Sequence, residues 1–239
     1  MSPPHAANAN SDDAIARIGR VLVMVLAKHP RPKRPSLRMC RGFAILAPMV
    51  ALVLASTSPY RKALLERLGV PFECVAPGVD EEKARGTETS PIAIARLLAR
   101  AKATAVSKLR PDAVVIGSDQ VCALDETILG KPGSKEGAEA QLKLLRGKSH
   151  LLITAVAVQH GSKVEEFVDV TTLRMRDLTD AEVRRYVELD QPVDCAGSYM
   201  FERAGVALFD RVEGEDHTAI VGLPLVKLCG VLRGVGVGV

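Results

Sequence analysis

The chain has 239 residues, 47% hydrophobic and 25% charged, the balance of an ordinary globular protein. Five Phe, three Tyr and no Trp leave few aromatic faces for stacking bases, which argues against a sequence-tolerant single-strand binder. The net charge of +4 is confined to the N-terminus: residues 1–50 hold eight Lys/Arg and two Asp, and the rest of the chain is slightly acidic at −2, so the basicity says little about partners of the body.

Residues 1–48 carry both Asn residues of the chain, the run His29-Pro-Arg-Pro-Lys-Arg-Pro35 and no clean periodicity, which predicts a disordered N-terminal extension. A second reading is that the natural start is Met49, so that residues 49–239 form the whole domain. No apolar run reaches the ~20 residues that cross a bilayer. Arg17 and Arg20 precede the apolar Val21–Ala27 as in a leader, but Asp12, Asp13 and the basic, Pro-rich stretch that follows spoil the pattern. Cys40, Cys74, Cys122, Cys195 and Cys229 are scattered with no C-x-x-C pair, as expected of reduced thiols in a cytoplasmic protein.

From residue 50 a regular alternation begins. Val50–Ala55 has the length of a buried strand. Ser58-Pro59 supplies an N-cap and a first-turn proline; Leu64, Leu65 and Leu68 line one helical face, and Gly69 stops it. The same grammar recurs at Ser90-Pro91, which opens a long Ala/Leu helix ending before Pro111. Ala113–Ile116 reads as a buried strand broken by Gly117, and Ser134 caps a helix that ends near Gly147. Leu151–Gln159 and Val164–Leu173, separated by His160-Gly161-Ser162, predict an antiparallel hairpin. Thr179 with Glu182 forms a capping box for a helix through Leu189. A strand near Val206–Phe209, an apolar segment at Ala219–Leu223 and a helix from Pro224 to about Leu232 complete an α/β fold without repeats.

Three segments carry chemistry. In Leu54-Ala-Ser-Thr-Ser-Pro-Tyr-Arg61 a strand runs through three hydroxyl residues into a helix. The free N–H groups and dipole of such a helix start attract anions, with Ser56, Ser58 and Arg61 as added donors. A capped surface helix with a solvated Arg fits the spacing equally well. In Ile116-Gly-Ser-Asp-Gln-Val121, Asp119 lies at a strand end, where ligands approach open α/β sheets, although a turn-closing role is also open. Val79-Asp-Glu-Glu82 is an acidic loop that is solvated if isolated and a partial Mg²⁺ site if close to Asp119. Lys102 and Lys131 are either phosphate ligands or surface lysines. No Walker A loop is present, and the five His show no metal-ligand spacing.

Together these segments resemble the Maf family of nucleotide pyrophosphatases over about residues 51–233. The match comprises Leu54–Arg61, Val79–Glu81, Gly117–Val121, Lys131-Pro132, Asp194–Tyr199 and Val221–Leu225, in order. The resemblance implies a mixed twisted sheet flanked by helices, similar to inosine triphosphate pyrophosphatase folds. It further implies a divalent metal cation (Mg²⁺ or Mn²⁺) and a nucleoside triphosphate substrate, with no nucleic-acid polymer or membrane as partner; a homodimer is compatible with it. The implied roles are Asp119 as general base and metal ligand, Glu81 as second metal ligand, and Ser56, Arg61, Lys102 and Lys131 on the phosphates. Tyr60, Gln120 and Glu202 resemble the 7-methyl-GTP branch, and the dTTP/UTP branch carries other residues there. An aromatic face suits a cationic methylated purine, and a carboxylate can accept from guanine N–H groups. Around Glu202 this chain departs from the family, which has a Lys earlier and a Gly next, whereas this chain reads Met200-Phe-Glu-Arg-Ala204. A dTTP/UTP pyrophosphatase and a nucleotide-binding regulator of septum formation are the alternatives. A chain starting at Met49 is expected to fold and to keep the implied hydrolysis, which thermal unfolding and pyrophosphate release would check.

Overall fold

The structure is a computed structural model and describes residues 50–239; the extension expected over residues 1–48 lies outside the described residues. Seven strands form one mixed sheet in the order β2-β1-β3-β5-β6-β7, with β4 also paired to β3. They are β1 (Leu52–Leu54), β2 (Glu73–Cys74), β3 (Val114–Leu124), β4 (Thr127–Leu129), β5 (Ser149–His160), β6 (Lys163–Met175) and β7 (Phe209–Glu213). Only β1 pairs in parallel, with β2 and β3; the remaining ladders are antiparallel. The helices are α1 (Pro59–Glu66), α2 (Glu81–Arg85), α3 (Pro91–Ser107), α4 (Lys135–Leu145), α5 (Asp180–Asp190) and α6 (Leu225–Gly234). None of the described helices is long and apolar enough to cross a membrane.

Alternation along β3 assigns the two faces of the sheet. Val115, Val121 and Ala123, with Ile153, Ala155 and Ala157 of β5, pack on the apolar face of α3 at Ile94, Ala95, Leu98, Ala99, Ala103 and Val106. The even-numbered residues face the other way and split into two clusters. Val114 and Ile116 meet Leu64 and Leu65 of α1 and Leu225, Leu228 and Leu232 of α6. Cys122 and Leu124 meet Leu142 and Leu145 of α4 and Val183 and Val187 of α5. A polar row crosses the sheet between those clusters: Gln120, Thr154 and Asp169 are register partners on three adjacent strands. Gln120 Nε2 donates to Thr154 Oγ1 at 2.9 Å, and both groups donate to the Ala219 carbonyl. They thereby hold the 3₁₀ turn His217–Val221 against the sheet.

Most of the expected elements form. Ser58, Ser90 and Ser134 cap α1, α3 and α4, the Thr179/Glu182 capping box is complete, and Gly161 turns the β5–β6 hairpin at φ 58°. Four expectations are corrected. Gly117 does not break a strand, because β3 runs through it for 11 residues, and Asp119 therefore lies mid-strand and not at a strand end. Glu81 does not sit in a loop but opens α2, which the Asp80 side chain caps by accepting from Lys83 N–H at 3.0 Å. The strand expected near Val206–Phe209 is a 3₁₀ turn over Ala204–Leu208, and pairing begins only at Phe209. The short strands β2 and β4 had no apolar run to announce them.

Gly117 has a packing function instead. A Cβ there would lie 2.3 Å from the Ala99 carbonyl oxygen and 2.6 Å from the Ala103 nitrogen, so only glycine lets the α3 backbone approach β3 this closely. Gly117→Ala is expected to destabilise the fold by about 1–3 kcal/mol or more through overpacking, measurable by urea denaturation.

Candidate active site

β1 and β4 occupy the same edge of β3 but leave a gap between them. β1 pairs with Val114–Ile116 and β4 with Cys122–Leu124, so residues 117–121 have no strand on that side. The Val114 N–H donates to the Ala51 carbonyl and the Ile116 carbonyl accepts from Ala55 N–H, which shows that even-numbered residues turn their backbone groups to this edge. The backbone of Ser118 and Gln120 thus faces the opening, and Asp119 projects from the same stretch onto the α3 face.

Asp119 is only 7% exposed and accepts from Lys102 Nζ at 2.6 Å. The same ammonium lies 2.8 Å from Glu81 Oε1, so one lysine bridges two carboxylates from different elements. Burial pushes the Asp119 carboxyl above its ordinary value, against the opposing pull of Lys102 and Arg61. Partial burial pushes Glu81 up as well, but the Lys102 hydrogen bond and charge, helped by Lys131 and Arg61, leave it net below its ordinary value.

At the end of β1 the chain turns sharply. The Ser58 N–H donates to Ser56 Oγ at 3.1 Å, and Arg61 N–H reaches Ser58 Oγ at 3.4 Å. Pro59 has no N–H, so Tyr60 N–H is the donor of the first helical turn that side chains leave for a ligand. Arg61 Nε donates to the Gly222 carbonyl at 3.0 Å, and Ser118 Oγ donates to the same oxygen at 2.9 Å. Desolvation lowers the Arg61 pKa while Asp119 and Glu81 raise it, the pattern of a guanidinium drawn into an acidic site. Gly222 has φ 103°, and a Cβ on it would lie 3.1 Å from Arg61 Nε, so glycine is required by both backbone and neighbour. Lys131 follows β4 on the far side of the gap, is exposed, and is close enough for its charge to act on Glu81 and Cys195.

A second group of side chains adjoins this one through Tyr60. The Tyr60 hydroxyl donates to Met200 Sδ at 3.3 Å. Burial raises its pKa, with Cys195 and Glu202 adding to the shift and Arg203 opposing it. Glu202 itself is pushed up by burial and by nearby Asp190, against a backbone hydrogen bond and the charge of Arg203.

The structure therefore brings Ser56, Arg61, Glu81, Lys102, Asp119 and Lys131 to one opening and sets Tyr60 and Glu202 beside it. Gln120 is different. It lies on the opposite face of β3 from Asp119, and its amide nitrogen is engaged by Thr154, Ala219 and Ile220, so it cannot also donate to a substrate without giving up those bonds. Ser118, Thr154, Asp190 and Gly222 also shape the site, and sequence reasoning gave them no role. A Thr in an otherwise apolar strand and the Val221-Gly-Leu-Pro-Leu225 block were the available signals.

The family model described as Maf-like protein matches residues 51–235. The chain belongs to the Maf family. Among its relatives, a 7-methyl-GTP pyrophosphatase of Bdellovibrio bacteriovorus is 45% identical over 78% of this chain and 97% of its own length. Proteins of the same name from Cupriavidus metallidurans and Albidiferax ferrireducens are 46% and 47% identical, over 78% and 79% of this chain and 94% of their own. A solved HAM1 protein from Coxiella burnetii is similar over 78% of this chain and 100% of its own at 15% identity, with a TM-score of 0.43.

In this Maf chain Lys102 is the residue on which the charge balance of the opening turns. Lys102→Met would leave Asp119 and Glu81 without their shared cation, and breaking a buried pair typically costs about 3–5 kcal/mol. An Asp119 carboxyl held above its ordinary value binds its proton more tightly in the folded than in the unfolded chain. Its contribution to stability is therefore fullest at low pH and declines as pH rises. The loss in Lys102→Met is expected to be largest at neutral pH and to shrink as pH falls, measurable by urea denaturation across pH 5–8.

Proposed function

We propose that this protein hydrolyses a nucleoside triphosphate, 7-methyl-GTP, to the monophosphate and pyrophosphate. The observation that carries the reading is a buried carboxylate at an open strand edge, paired with Lys102 and within reach of the charge of Arg61, with Lys131 acting on the neighbouring Glu81. The similar proteins named 7-methyl-GTP pyrophosphatase support the substrate. So do the Glu202 and Asp190 carboxylates whose charges act on Tyr60, since a carboxylate beside an aromatic ring suits a cationic purine.

The chemistry follows from the residues. Asp119 accepts the proton of a water that attacks the α-phosphorus; the new O–P bond forms as the bond to the bridging oxygen breaks, and pyrophosphate departs. A carboxyl held above its ordinary value is better matched to this base role near neutral pH than an ordinary aspartate. Arg61, Lys102 and Lys131 neutralise the triphosphate and the charge growing on the leaving group. The Ser56 hydroxyl and Tyr60 N–H donate to phosphate oxygens at the start of α1.

Within the opening, Glu81 and Asp119 are matched by Lys102 and Arg61, which leaves only Lys131 against the charge of a triphosphate. Glu81 and Asp119 are the hard oxygen donors that Mg²⁺ or Mn²⁺ takes, and such an ion would supply Lewis-acid polarisation of the phosphate oxygens. Among the described residues no group of three His, Cys, Asp or Glu could hold a metal alone, so substrate oxygens and water would complete the shell.

Pyrophosphate release across a panel of 7-methyl-GTP, GTP, UTP and dTTP, with Mg²⁺ or Mn²⁺, tests the reading. The highest kcat/KM is expected for 7-methyl-GTP, and Asp119→Asn is expected to lower kcat by about 10²–10⁴-fold with folding intact. Release within threefold of wild type from Asp119→Asn would remove it from the mechanism.

A further inference from the structure

Glu202 and Arg203 are chain neighbours with opposite charges, yet among the described residues no cation lies within ion-pair distance of Glu202. Arg203 is turned elsewhere. Its Nε lies 3.6 Å from Asp190 Oδ1, and its Nη1 donates to Met200 Sδ at 3.8 Å. Asp190 is the last residue of α5, with a side chain only 3% exposed. Its second oxygen, Oδ2, is buried and has no hydrogen-bond partner. One turn earlier on α5, the Tyr186 hydroxyl accepts from Met200 N–H at 2.8 Å. The helix end thus fastens the 200–203 segment at two points that flank Glu202.

This placement of Asp190 is costly. A buried carboxylate at the negative end of a helix dipole is destabilised by burial and by the dipole, and its partners here are the Tyr186 side chain one turn earlier and the long contact to Arg203, with Oδ2 left over. Of these partners only Arg203 lies next to Glu202 in the chain.

We propose that Asp190 is a positioning residue for base selection, holding the Arg203 guanidinium away from Glu202 so that the Glu202 carboxylate stays free for a cationic purine beside Tyr60. The inference rests on the 7-methyl-GTP reading above. With Arg203 committed to Asp190, its charge reaches Glu202 only at a distance and Glu202 has no direct ion-pair partner, which favours a methylated, positively charged guanine over the neutral base. With Arg203 released, a Glu202–Arg203 pair would cancel the Glu202 charge and remove the preference, while the phosphate end with Arg61, Lys102 and Asp119 would be unchanged.

The test is the ratio of kcat/KM for 7-methyl-GTP to that for GTP. In Asp190→Asn, which keeps the side-chain size and removes a buried charge, the ratio is expected to fall about tenfold, through KM for 7-methyl-GTP with kcat little changed. Adding Arg203→Gln to that variant should restore the ratio to within about threefold of wild type, because no guanidinium is left to restrain. Arg203→Gln alone should keep or raise it. A merely structural role for Asp190 would lower both substrates alike and would not be rescued. A ratio unmoved in Asp190→Asn, a double variant no better than the single one, or a fall in Arg203→Gln alone would overturn the inference. A wild-type protein with no preference for 7-methyl-GTP would overturn the substrate reading and this inference with it, whereas a wild-type preference that survives Asp190→Asn overturns the inference only.

Discussion

The ion pair between Lys102 and Asp119 is the contact on which the opening depends. A lysine in the buried face of α3 has no place in an apolar core unless a carboxylate meets it, and Asp119 does so at 2.6 Å. The meeting is fixed by backbone packing two residues away. Gly117 lies against the Ala99 carbonyl and the Ala103 amide, so helix and strand touch with no side chain between them, and Lys102 falls on Asp119. Glu81 then joins from a short helix whose own start is fixed by the Asp80 cap. One close approach of helix to strand thereby sets three charged groups.

The two ends of the site are held in different ways. The end proposed to take the phosphates is built on the sheet: the β1–α1 turn, the middle of β3 and the loop after β4, with Arg61 and Ser118 both tied to the Gly222 carbonyl. The end proposed to take the base is built on irregular chain from Cys195 to Arg203, fastened to α5 through Tyr186 and Asp190. Phosphate chemistry requires positions fixed closely by regular structure. Base recognition can be altered in a loop without disturbing them.

Much of this was legible in the sequence. Caps and stops marked α1, α3, α4 and α5 because Ser, Thr, Pro and Gly act locally, on bonds within a turn of themselves. The residues of the opening were legible as a set, since Ser56, Arg61, Glu81, Lys102, Asp119 and Lys131 all stand in the segments singled out in the chain. Long-range geometry was not. Gly117 reads as a break in any local grammar, and only its contact with α3 shows it to be a spacer. Gln120 stands next to Asp119 in sequence but points to the opposite face, where it holds the 3₁₀ turn His217–Val221. The hold of Asp190 on Arg203 spans two elements and leaves no pattern in the chain. β2 and β4, of two and three residues, exist because neighbouring strands offer them partners.

The gap in the edge of β3 is also an unpaired strand edge. An exposed strand edge is an invitation to a second chain, and long ones are a route to aggregates. Here the unpaired stretch is five residues long and closed at both ends by β1 and β4. A foreign strand entering it would collide with one or the other before forming a ladder. The opening admits small molecules with polar groups of their own, and it is too short to serve as a template for another polypeptide.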